Sequence, residues 1–142
     1  MKRTLLKSQK GVTLLPLIIT IVVILMLTST IIFQVNDTTE SNRLNDLYAD
    51  IKLLEDKILV YYNNYSEIPV VENQSEISVV PQGIQREDND KFYEIDLTKL
   101  RGITLKYGNK TDAKDIYIVN NRTLKVYYLK GIELRGQRYY SI

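Results

Sequence analysis

The stretch LNDLYADIKLLEDKILVYYNNY, residues 44–65, sets Leu44, Leu47, Ile51, Leu54, Ile58, Tyr61 and Tyr65 at alternating spacings of three and four. At 3.6 residues per turn those positions share one stripe, and Asp46, Asp50, Lys52, Glu55, Asp56 and Lys57 fall elsewhere on the helix. The spacing predicts an amphipathic helix that buries one face. Three heptads could seed a coiled coil. The strand-like sequence that follows points instead to packing against a sheet. The stop signal is Asn63-Asn64-Tyr65-Ser66-Glu67-Ile68-Pro69, where Pro69 biases Ile68 away from helical backbone.

Working outward toward the carboxyl end, the sequence reads as β. Ile77–Val80 is a short apolar run, and Phe92–Leu97 and Ile103–Tyr107 alternate apolar with polar. Asp115–Val119 and Thr123–Leu129 flank Asn120-Asn121-Arg122, a hairpin signal built on residues that tolerate positive φ. Arg138–Ile142 is expected as a final strand, and Gly102, Gly108, Gly131 and Gly136 mark turns. The expected fold class is α+β, one long amino-terminal helix packed on a small antiparallel sheet, with the β-rich part at 67–142.

Working outward toward the amino end, a polar stretch, Gln34–Asn45, precedes the stripe and is the weakest part of a continuous helix. Before it, Val12–Phe33 is an uncharged, mostly apolar run of 22 residues. As a helix it would be about 33 Å long, near the thickness of a bilayer's hydrocarbon core. The run is expected to span a membrane. Lys2, Arg3, Lys7 and Lys10 give residues 1–11 a charge of +4, whereas residues 37–142 hold 15 basic against 17 acidic side chains. Basic residues before the span and Asp37 and Glu40 after it predict a cytoplasmic amino end and an extracytoplasmic remainder. The exported part is slightly acidic, which weakens a nucleic-acid reading.

Pro16 bears on where the helix begins. Inside a helix running from about Leu5, it would remove a backbone donor and press on the Val12 carbonyl, at a cost of about 3 kcal/mol. In a helix beginning between Val12 and Leu15, it falls in a first turn whose N–H groups are unpartnered anyway. An ordinary secretory signal fits poorly: the run exceeds 7–15 residues by the usual rule of about that length, and no Ala-x-Ala follows Thr28-Ser29-Thr30. A plain single-pass anchor is the simplest alternative.

Lys10-Gly11-Val12-Thr13-Leu14-Leu15, after a short basic leader and before a long apolar run, resembles the amino terminus of type IV pilins and type II secretion pseudopilins. The resemblance implies that a prepilin peptidase cuts between Gly11 and Val12 and N-methylates Val12. It implies a leader at 1–11, a filament-core helix at 12–33 and an amphipathic continuation at 34–66. The implied partners are the prepilin peptidase, other pilin or pseudopilin subunits, an assembly ATPase with a platform protein, and membrane lipid before assembly. The implied location is the cell membrane, then an extracellular or envelope-spanning filament. Where the family carries Glu, this chain has Pro16. A carboxylate there is thought to pair with a neighbour's amino terminus, and Pro16 offers none. That departure fits a minor or tip subunit, or an auxiliary member assembled by helix packing alone, and it weakens the expectation of methylation.

The chain has no cysteine and no histidine, which excludes disulfides, thiol catalysis and histidine general bases. No nucleophile–base pair and no phosphate-binding loop is evident, so an enzyme is not expected. Glu87-Asp88-Asn89-Asp90 clusters oxygen ligands, but without the glycine-centred spacing of a calcium loop it reads as a solvated turn; Asp112 and Asp115 read no differently. No metal and no cofactor are expected. Asn-x-Ser/Thr triplets at Asn36, Asn64, Asn73, Asn109 and Asn121 are at the density chance gives in so Asn-rich a chain. The eleven tyrosines all follow residue 47, and strand propensity assigns them to sheet faces and helix–sheet packing ahead of ligand binding. Two functions remain in view: a filament subunit, and a single-pass membrane-anchored extracytoplasmic binding domain.

Overall fold

The computed structural model describes the backbone of residues 14–142, and the side chains of that range apart from 29–37. The chain divides into two compact units, Met1–Thr39 and Glu40–Ile142. Its described residues form an α+β arrangement of one long helix, a 3-10 turn and two small antiparallel sheets.

Helix α1 runs Leu14–Tyr65. Its end is set by local chemistry. Ser66 adopts a left-handed φ of 57° and donates its N–H to the Tyr62 carbonyl at 2.8 Å, closing the last turn. Buried Pro69 follows, and the chain enters the sheet through a bridge between Val70 and Ile95.

Within the second unit the predicted stripe is the core. Leu44, Leu47, Ile51, Leu54 and Ile58 are buried, Tyr61 packs against them half-buried, and Tyr65 lies outside, 64 % exposed. The buried stripe therefore ends one turn before its periodicity does. Each fully buried Leu or Ile contributes about 1.5–3 kcal/mol of transfer free energy.

The main sheet is β1 (Phe92–Glu94), β2 (Tyr117–Asn120) and β3 (Val126–Tyr128), antiparallel in that order. Tyr117 opposes Tyr128, and Val119 opposes Val126; these side chains face α1 with Ile95. Ile118 opposes Tyr127, and with Phe92 and Ile84 they form a second small core on the other face. Phe92 and Tyr127 meet edge to face, centroids 5.8 Å apart. The sheet is thus buried on both sides in its middle, which explains why β2 is uniformly buried rather than alternating.

Several sequence expectations change in detail. The hairpin joins β2 and β3 as anticipated, but its loop is Asn121–Leu124, since Asn120 still pairs with Lys125 (N–H to carbonyl, 2.9 Å). Leu124, not an asparagine, takes the positive φ, while the Asn120 side chain accepts from the N–H groups of Arg122 and Thr123. Ile77–Val80 forms no strand, although Ile77 donates its N–H to Phe92 at 2.8 Å. Ile103–Tyr107 forms none either. Its alternation still reports a face, because Ile103, Leu105 and Tyr107 pack on the core. The final strand, β5 (Gln137–Tyr139), pairs with β4 (Ile132–Leu134), not with the main sheet; the residues after it reach β3, where the Tyr140 carbonyl accepts from Tyr128 N–H at 2.7 Å and the Ser141 hydroxyl donates to the Val126 carbonyl at 2.8 Å.

Candidate assembly surface

In the first unit, Leu14–Thr28 is helix whose residues are all exposed. Its large apolar side chains, from Leu14 to Leu27, are each 43–66 % exposed. Two hydroxyls interrupt the surface, and both are turned inward. Thr20 donates to the Pro16 carbonyl and Thr28 to the Ile24 carbonyl, each at 2.7 Å. Such bonds one turn back leave a helix with no unsatisfied hydroxyl, as an apolar environment requires. Pro16 lies in the first described turn.

Gly11 and Val12, the residues at which cleavage and methylation are expected, lie outside the described residues. The expected span Val12–Phe33 lies partly outside those with described side chains. Among the described residues, no helix is long and apolar enough to cross a membrane.

The second unit is fastened by two buried carboxylates that sequence reasoning placed elsewhere. Asp50, read as part of the polar face of the helix, is buried. Its Oδ2 accepts from the Tyr117 hydroxyl at 2.7 Å and from the N–H groups of Lys106 and Tyr107 at 2.8 and 3.0 Å. It thereby supplies the 103–107 segment with the partners a sheet ladder would have given. Asp115 accepts from the Tyr128 hydroxyl, the Thr111 hydroxyl and the N–H groups of Gly108 and Thr111, at 2.6–3.0 Å. Burial acts to raise its pKa, but these four donors outweigh it and hold the carboxyl far below the usual range. Burial, then the facing carboxylate, pushes both Tyr117 and Tyr128 well above the usual phenol range, so both remain donors. Rings of Tyr117 and Tyr128 lie 5.2 Å apart, and Tyr107 and Tyr128 5.4 Å. These tyrosines are packing residues. Tyr62 and Tyr65 are exposed at the end of α1.

The acidic turn at Glu87–Asp90 is closed by a side chain from the hairpin loop. Arg122 donates from Nε to Asp90 at 2.8 Å and from Nη2 to Glu87 at 2.7 Å. Asp90 also accepts from the Glu87 N–H. Arg122, then that amide, lowers the Asp90 pKa from 3.8 to about 2. The guanidinium occupies the place a cation would take. Among the described residues, no group of three or more acidic, histidine or cysteine side chains is arranged to hold a metal ion. Of the Asn-x-Ser/Thr positions, Asn121 accepts from Lys91 N–H through its side-chain oxygen, and Asn109 donates from its side-chain amide to the Lys106 carbonyl.

No family model, no curated protein and no solved structure matches this chain.

Proposed function

We propose that this chain is a prepilin-like subunit, a minor pilin or pseudopilin of a type IV pilus or type II secretion-like filament. The observation that carries the reading is the first part of α1, whose large apolar side chains from Leu14 to Leu27 are exposed on every side of the helix. Exposing that much apolar area to water would cost about 25 cal/mol per Å², so lipid or neighbouring helices must cover it. The basic leader, the Lys10-Gly11-Val12-Thr13-Leu14 motif and the 22-residue run supply the rest of the support.

On this reading the chain is inserted with its amino end in the cytoplasm, cut after Gly11, and drawn from lipid into a bundle of like helices. The second unit faces outward. Pro16 leaves the subunit without the carboxylate that recruits a neighbour's amino terminus, so it serves at a tip or as a minor member. The alternative, a permanently anchored binding domain, keeps residues 1–11.

Intact mass of the membrane-extracted chain, from hosts with and without a prepilin peptidase, separates the two. The expected result is loss of residues 1–11 only where the peptidase is present. Retention of Met1 through Gly11 in an assembly-competent host would overturn the filament reading.

A further inference from the structure

On the face of the main sheet turned away from α1, a depression of about 620 Å³ is walled by Ile77, Ala113, Ile116 and Leu129. At its lining lies Glu94 of β1, a carboxylate whose side chain is only 9 % exposed. Gln74 donates to its Oε2 at 2.7 Å. Its Oε1 is out of contact with solvent and accepts no hydrogen bond among the described residues, and the Lys110 ammonium lies 2.6 Å from it as an ion pair. Lys110 itself is 63 % exposed and reaches the carboxylate from the rim, on a backbone held at φ 58°. Asp112, also at the rim, is paired with Lys130.

A buried carboxylate is retained at a cost unless a cation meets it. Here the cation is supplied by a solvent-exposed side chain that lines the same depression as Ile77, Ile116 and Leu129. That arrangement is the chemistry of a lysine bound in a site, with the lysine provided by the chain itself. The volume is in the range of small-ligand sites and far exceeds what one ammonium fills.

We propose that this depression is a binding site for the lysine side chain of a partner protein. The incoming ammonium replaces that of Lys110 at Glu94 Oε1, and its methylene stem lies on Ile77, Ile116 and Leu129. Lys110 serves as a tethered competitor that keeps the carboxylate neutralised when the site is empty. The apolar walls and single buried acid select an aliphatic ammonium and disfavour anions. The site is independent of the filament reading.

The test uses the full chain in a neutral detergent, with Nα-acetyl-lysine methylamide as probe and Nα-acetyl-norleucine methylamide as its uncharged control. Lys110→Gly removes the competitor at a position whose backbone suits glycine, so the fold is retained. Binding is read from chemical-shift changes of Ile77, Ile116 and Leu129 methyl groups. The expected result is lysine-probe binding at least tenfold tighter in Lys110→Gly than in the unaltered chain. The norleucine control should not bind, and the Glu94→Gln/Lys110→Gly double variant should lose binding. Equal binding of both probes, binding that survives Glu94→Gln, or no shift in a folded Lys110→Gly chain would each overturn it.

Discussion

Asp50 shows how one side chain can substitute for a missing strand. It serves three donors from two segments at once, and its removal would take the partner from the buried Tyr117 hydroxyl and from two part-buried backbone N–H groups. An unsatisfied buried donor costs about 1–3 kcal/mol. Asp50→Ala is therefore expected to destabilise the second unit by about 3 kcal/mol, read as a lower midpoint in urea unfolding. Asp50→Asn should recover part of that loss, since its amide oxygen still accepts. Asp90 acts through charge instead. Folding lowers its pKa from 3.8 to about 2, so the folded state takes up a proton less readily than the unfolded one. The stabilisation it gives is complete above about pH 4 and is lost as pH falls through about 2. Thermal melts between those values should show a shallower decline for Asp90→Asn than for the unaltered chain.

At the scale of elements, the ends of helix and hairpin are set by left-handed residues of unequal merit. Ser66 closes α1 at a φ of 57°, a conformation in which a side chain is a liability and glycine is not. Ser66 is exposed and has no packing to lose. Ser66→Gly is expected to raise stability by about 0.5 kcal/mol, measurable as a small increase in Tm. Gly108 is the opposite case. At φ 79° an added Cβ would sit 2.6 Å from the Tyr117 ring, and the Gly108 N–H is committed to Asp115. Gly108→Ala should cost more than 2 kcal/mol, because backbone and ring cannot both yield. Leu124 falls between them: its positive φ is tolerated because its side chain packs on the core.

At the scale of the whole molecule, the two units bury their apolar surface differently. The second has its own core, formed by α1 from Leu44 onward and the sheet, and every carboxylate–tyrosine tie lies within it. The first has, among its described residues, an apolar helix and no buried core residue. A chain beginning at Glu40 is accordingly expected to give a cooperative thermal transition in buffer without detergent. The full chain should precipitate there and remain in solution only in detergent. Aggregation of the shorter chain would show that its core needs the preceding helix.

Periodicity by itself determined the helix, its buried stripe from Leu44 to Ile58, its stop before Pro69, the central hairpin and the α+β class. These follow from local rules: a repeat of 3.6, backbone-breaking residues, and alternation in strands. Tertiary structure decided what depends on residues far apart in the chain. Asp50 is buried because Tyr117 and the 106–107 backbone come to it across more than fifty residues. The last strand is the local exception, pairing with β4 across the two-residue turn at Arg135 and Gly136. Glu94 becomes a pocket acid only when Gln74 and Lys110 converge on β1 from either side in sequence. A carboxylate in a sequence carries no mark of its eventual partners, since its burial is chosen by the donors that surround it after folding.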